Sequence, residues 1–508
     1  MTATDTNRIA LLLDRLEQLL RHQPQNTPAL CQVGGELARL GRAQEARRGY
    51  RAAVDSLRQA ARVGDVELAL QCEERIYEAF VTAVENEEHY YRCFRDWKDD
   101  LASLGRRFRD FAPLPAADFE RIGFFLHSGR LLGHTEVLLK MLEARPRTKA
   151  RDAKPVIYVL RDYDPAFMER CRALGVEAVS VVDVIGSSAP LDARFLWLRE
   201  RFRRDRIATC VWVSAPPMVS FAFSMRLAPV QIFWALRFHP ISAPYLDGYI
   251  TWGAGNETTR RYGNQEWEVV PLPFAIDHSP PDPENINELR QRFPESVLLG
   301  TLAREEKINS APFLKAVADI LAANPQAGYL WTGRSEHDGI ANFFRAAGVA
   351  ERCHFVGWVD TRLYAAALDV FLESFPYGFG IIGYQAFAAG VPLLSYLDSK
   401  TTFGVHYWQR LLTPSANGNT PQRPQLNAPD EYAILCARDA EEYVTLAGRL
   451  IADVAWRKEI GARGLAFFRK ELQNNAAYAE RFFATVARIA ARKTGNPTPG
   501  STGTELNT

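Results

Sequence analysis

The chain has 508 residues, 47% of them apolar, which is enough to fill the cores of about three domains. Lysine and arginine number 61 against 60 aspartate and glutamate, a net charge of +1, so there is no broad basic field to draw nucleic acid or an anionic membrane. No uncharged apolar run reaches the ~18 residues of a spanning helix. Ile9–Leu13 is too short an apolar run, and too soon followed by Asp14, for a signal peptide. Seven cysteines (Cys31, Cys72, Cys93, Cys171, Cys210, Cys353, Cys436) lie far apart with no Cys-x-x-Cys pair, the pattern of buried thiols in a reducing compartment. A cytoplasmic location is expected.

Residues 5–110 are rich in Ala, Leu, Arg and Glu at helical spacing, which predicts an all-α domain over residues 1–115. Leu30, Val33, Gly34, Leu37, Ala46, Tyr50 and Ala53 fall at the offsets of one tetratricopeptide (TPR) repeat, where small residues let two antiparallel helices approach closely. A single repeat cannot bury both faces. The flanking segments Asp65–Val84 and His89–Phe111 are therefore read as degenerate helices packed on it, roughly five or six helices in all. Such a domain serves either as a docking surface for another protein or a second subunit, or as a scaffold covering the rest of the chain.

Pro113 and Pro115 close the helical domain, and Arg121–Ser128 opens an α/β domain over residues 120–276. Strands are expected at Val156–Leu160, Val176–Val182, Thr209–Val213, Gly248–Trp252 and Val269–Pro273, with helices between several of them. That alternation predicts a doubly wound parallel sheet, whose ligands gather at the carboxyl ends of the strands. His127, Ser128, Gly129 and His134 stand at the end of the first strand. Asp162-Tyr163-Asp164 has the form of an Asp-x-Asp metal motif, but lies far from any phosphate loop and is not read as a metal site. Arg199–Arg206 interleaves acids with arginines and reads as the solvated face of a helix.

The proline-rich Asp277–Pro283 begins a linker over residues 277–296, after which the alternation restarts in a second α/β domain over 297–492. Val297–Leu302, Gly328–Thr332 and Cys353–Val356 are strands, with helices at Ser310–Ala323 and Gly339–Ala347. Arg304 and Lys307 stand in the loop after the first of these strands, where fixed cations can stabilise the charge that builds on a departing diphosphate. Asp369–Glu373 is a buried strand, Gly378, Gly380 and Gly383 punctuate a turn, a short helix comes next, and Val391–Tyr396 is a further strand. Backbone N–H groups at such a turn suit a phosphate. Residues 440–492 supply closing helices, and 493–508 read as a disordered tail by composition.

Gly383-Tyr384-Gln385-Ala386-Phe387-Ala388-Ala389-Gly390-Val391-Pro392 resembles the nucleotide-sugar motif of GT-B glycosyltransferases, with Gln385 where those proteins carry an acid and Tyr377 at a second usual acid. Lys307-Ile308-Asn309, the helix after it, the strand ending Trp331-Thr332-Gly333-Arg334, Phe355–Val359 and the glycine turn resemble, in order, the catalytic half of glycosyltransferase family 41, the O-GlcNAc transferases and bacterial cytoplasmic N-glycosyltransferases. Residues 228–250 and 121–134 resemble that family's first α/β domain.

The resemblance implies a GT-B fold, two Rossmann-like domains facing across a cleft, preceded by the TPR-like domain. It implies a hexosyl- or N-acetylhexosaminyltransferase that moves a sugar, by inversion, from a nucleotide-diphosphate donor, UDP-sugar foremost, to a protein side chain, with neither metal nor cofactor. Lys307 and Arg304, the backbone of Gly357 and Trp358, the turn Gly380-Ile381-Ile382-Gly383 and Gln385 would hold the donor. His134 would be the catalytic residue of the acceptor side, with His127, Gly133 and His239 beside it. His354 is expected to be structural. Two alternatives stand beside this reading: a GT-B enzyme with a glycan or lipid-linked acceptor, and a degenerate GT-B adaptor for another transferase.

Overall fold

In the computed structural model the described residues are 3–40, 42–80, 95–109, 118–236, 241–252, 258–262, 265–271, 279–375, 382–396, 435–469 and 475–494. They fall into two compact units, one of residues 1–252, 258–270 and 476–508, the other of 253–257 and 271–475.

The first unit begins with helices α1 (Ala3–His22), α2 (Thr27–Arg39), α3 (Ala43–Val63), α4 (Val66–Phe80) and α5 (Lys98–Arg106). The TPR offsets are borne out locally. Leu30, Val33, Leu37, Ala46 and Ala53 are buried, and a Cβ on Gly49 would lie 3.7 Å from the Cα of Gly34, so α2 and α3 meet where neither backbone carries bulk. Residues 81–94, with the end of the expected segment Asp65–Val84 and the start of His89–Phe111, lie outside the described residues.

The helices pack on the first α/β part of the same unit, α4 against helix Leu191–Arg204 and α5 against helix Val219–Ser224. The strands of its sheet are β1 (Asp118–Leu126), β2 (Lys154–Val159), β3 (Glu177–Ser180), β4 (Ile207–Val213), β5 (Val230–Trp234), β6 (Gly248–Trp252), β7 (Thr259–Tyr262) and β8 (Gln265–Val270). The order is β3-β2-β1-β4-β5-β6-β8-β7, parallel throughout except for the β7–β8 hairpin at one edge. The strand expected at Val269–Pro273 is therefore the second arm of a hairpin that ends at Val270. The direction of winding reverses between β1 and β4, the switch point of this sheet. The core is aromatic: Phe125 lies 4.0 Å, centroid to centroid, from Trp212, which meets Phe223 edge-on.

Helix Asn475–Thr494, expected with the second domain, belongs instead to the first unit. Phe482 packs against Trp234 and Phe124, and Ile489 fills the space over Gly248, where a Cβ would meet it at 2.7 Å. Arg488 and Arg492 both bind the buried carboxylate of Glu268, at 2.7 and 2.8 Å, and Lys493 binds Asp247 at 2.9 Å. A helix's periodicity reports that it has an apolar face, not which sheet that face covers.

The second unit is a six-stranded parallel sheet of β9 (Val297–Thr301), β10 (Ala327–Trp331), β11 (Cys353–Phe355), β12 (Val370–Leu372), β13 (Leu393–Tyr396) and β14 (Leu435–Ala437), in the order β11-β10-β9-β12-β13-β14. Leu299, Phe313, Val317, Tyr329, Trp331, Leu372 and Tyr443 belong to its core. The expected linker contains a helix, Pro283–Arg290, with Asp282 capping it and proline at its first position, where a missing N–H costs nothing. Two doubly wound units preceded by helices constitute the GT-B architecture with a TPR-like N-terminal region.

Candidate functional site

Winding in the second sheet reverses between β9 and β12, so the loops after these two strands flank its switch point. Thr301 Oγ1 donates to Leu372 O at 2.8 Å and ties the strand ends together. The loop after β9 carries Arg304, exposed, and Lys307, partly exposed, in the single turn Glu305–Ile308. The chain after β12 resumes, among the described residues, at Ile382 and helix Gly383–Ala388. Gly380 and Ile381, with Tyr377, lie outside the described residues. This helix is six residues long, so little macrodipole accumulates along it, and side-chain cations and local amides must carry most of any anion binding.

Gln385 is only 5% exposed, turned into the protein rather than across its surface. Glu373, just past the end of β12, is buried and accepts from the Ser395 hydroxyl. Trp358 is the opposite: its indole is 72% exposed at the carboxyl end of β11, and it is not part of the core. Gly357, just before it, has φ of +72°, a left-handed turn that favours glycine, and its carbonyl accepts the N–H of Gly333 at 3.3 Å. Arg334 was missed by sequence reasoning, though it stands just past the carboxyl end of β10. Its N–H donates to the buried carboxylate of Glu305 at 3.0 Å. Burial pushes the Glu305 carboxyl up, but that N–H bond and the nearby Arg334 and Arg304 guanidinium groups prevail and hold it below its ordinary range.

In the first unit the loop after β1 carries His127, Gly133 and His134, the last two opening helix Gly133–Ala144. Asp162 and Asp164 brace this loop. Asp162 accepts from Arg130 Nε at 2.7 Å and Asp164 accepts the N–H of Leu131 at 2.7 Å, which gives the Asp-x-Asp segment a scaffolding role. His239 lies outside the described residues. His127, expected on the acceptor side, has its Nε2 2.7 Å from Glu74 Oε1, whose second oxygen accepts from Arg161 at 2.7 Å. Glu73, 1% exposed, accepts from Trp97 Nε1 at 2.9 Å and from the N–H of Met218 at 2.6 Å. Burial pushes its carboxyl up to about 7, against the opposing pull of those two donors. The helical region thus inserts two acids at the carboxyl edge of the sheet, close to its switch point. Nothing in the pattern of α4 distinguishes Glu73 and Glu74 from solvated helix acids. His354 pairs with Glu295 at 2.9 Å, the structural role expected of it.

These features define the class of fold as GT-B, and solved structures agree. A mutant of the Thermobaculum terrenum O-GlcNAc transferase matches with a TM-score of 0.54 at 19% identity, over 97% of this chain and 99% of that one, helical region included. Anabaena HepE, in complex with UDP and glucose, matches with a TM-score of 0.51 at 14% identity, over 72% of this chain and 99% of that one. A glycosyltransferase from Rickettsia africae matches with a TM-score of 0.50 at 11% identity, over 73% and 99%. No family model and no curated protein matches the chain in sequence. Among the described residues no helix is long and apolar enough to cross a membrane.

Proposed function

We propose that the chain is a glycosyltransferase that moves a sugar from a nucleotide-diphosphate donor, with UDP as the nucleotide, to a protein side chain in the cytoplasm. The observation that carries this reading is the pairing of β9, which ends in the Arg304–Lys307 loop, with β12 at the switch point of the second sheet. As the glycosidic bond breaks, negative charge grows on the leaving diphosphate, and cations already fixed there stabilise the transition state more than the ground state. Two cations on one loop meet this need without a bound metal. The exposed indole of Trp358 and the backbone of Gly357 would take the base, and His134, in the first turn of its helix, would orient or deprotonate the acceptor.

The test is calorimetric titration with UDP, GDP and their sugar conjugates, with and without magnesium, on the wild type and Lys307→Ala. The reading requires binding of one nucleotide that does not depend on magnesium. It also requires a loss of about tenfold to a hundredfold in the variant, the worth of one charge-assisted phosphate contact. Absence of binding to every nucleotide would replace it with the adaptor reading, in which the GT-B units serve another transferase. A transfer assay on cell extract depleted of glycans and lipids then separates a protein acceptor from the other two.

A further inference from the structure

The loops after β9, β10 and β11 are laced together by hydrogen bonds outside the sheet. Thr332 Oγ1 accepts the N–H of Ala303 at 2.9 Å and donates to its carbonyl at 2.8 Å. Glu305 Oε2 accepts the N–H of Arg334 at 3.0 Å, and the N–H of Gly333 reaches Gly357 O at 3.3 Å. Glu305 lies so close to the second loop that a Cβ on Gly333 would meet its Oε2 at 3.0 Å and its own Cβ at 3.3 Å. Glu305 is 9% exposed, whereas Arg304 and Arg334, whose charges both act on its carboxylate, are exposed. A buried charge between two loops, bonded to backbone, fixes geometry.

We propose that Arg334 is a third cation of the diphosphate site and that Glu305 is the positioning residue that holds the β10 loop, and with it Arg334, against the loop of Arg304 and Lys307. The inference rests on the donor reading above. Its ligand is the diphosphate portion of a nucleotide, not the base, because Glu305 stands on the β9 loop at the switch point and bonds the β10 loop of Arg334 to it, while Trp358 stands one loop further out. Glu305 accepts the N–H of Arg334 through one oxygen, so the amide oxygen of glutamine can replace it in that bond, whereas alanine leaves the N–H of Arg334 without it. Arg334→Ala removes the guanidinium but keeps the backbone N–H, and the lacing with it.

The experiment titrates UDP and GDP, each beside its free nucleoside, into wild type, Arg334→Ala, Glu305→Ala and Glu305→Gln, with a melting curve for each protein. Arg334→Ala should weaken the diphosphate by about tenfold, leave the nucleoside unchanged and melt as the wild type does. Glu305→Ala should weaken the diphosphate selectively, and Glu305→Gln should restore it. Wild-type binding that Arg334→Ala leaves intact overturns the third cation while the donor reading stands. Equal losses for nucleoside and diphosphate in Glu305→Ala, or no rescue by glutamine, overturn the positioning role. Failure of the wild type to bind either nucleotide removes both the reading and this inference.

Discussion

Glu73 offers the sharpest test of how the helical region is joined to the first sheet. Its carboxyl is buried between Trp97 of the helical region and Met218 of the turn after β4, and it titrates at about 7 rather than the 4.5 of a free glutamate. The sign comes from linkage: the folded state holds the proton more tightly than the unfolded chain, so stability is fully present below pH 4.5 and is lost as the pH rises through 7. At about 1.4 kcal/mol per pH unit, the interval between the two values amounts to about 3 kcal/mol. Glu73→Gln is neutral throughout. Its amide keeps one acceptor and sets an NH2 against the second donor, a cost of about 1–2 kcal/mol that does not vary with pH. The variant should therefore unfold more easily than the wild type at about pH 4.5 and less easily at about pH 8, with the curves crossing between. Urea unfolding of both proteins across that range, followed by circular dichroism, measures the difference directly, and groups common to the two proteins cancel. Curves that stay parallel across the range would refute the assignment of a proton to Glu73.

Gly105→Ala should detach α5, because the added Cβ would meet the backbone oxygen of Phe221 at 2.2 Å and Ser224 Cβ at 3.1 Å, neither on a flexible tip; a melting point unchanged from the wild type would contradict that packing. Trp358→Ala should leave stability within about 0.5 kcal/mol, since the ring is exposed, yet weaken nucleotide binding by about tenfold, and calorimetry beside a melting curve separates the two effects. Thr332→Val leaves the N–H of Ala303 without its acceptor and should cost about 1–3 kcal/mol, read as a lower urea midpoint.

The alternation of apolar runs and helical stretches made both sheets legible, and Gly248–Trp252 is a strand at its expected bounds. Val176–Val182 was only half right: the strand stops at Ser180, whose hydroxyl accepts the N–H of Asp183 and starts a short helix, a cap that overrides the β-branched run. Arg304 and Lys307 were legible because they follow a strand at a fixed offset. Glu305 was hidden between them, since an acid flanked by bases reads as a solvated charge until a neighbouring loop is seen to bury it. Glu73 and Glu74 were illegible for a related reason: their partners Met218, His127 and Arg161 come from the segments after strands far along the chain, and no local period encodes such a meeting.

The placement of helix Asn475–Thr494 also bears on how the protein is made. A ribosome releases the first sheet long before this helix exists. Throughout synthesis of the second unit, Glu268 and Asp247 stand without Arg488, Arg492 and Lys493, and the aromatic seat of Phe482 beside Trp234 is empty. The first unit to be translated is thus the last to be completed, and a nascent chain stalled before residue 475 should expose an apolar surface that the finished protein conceals.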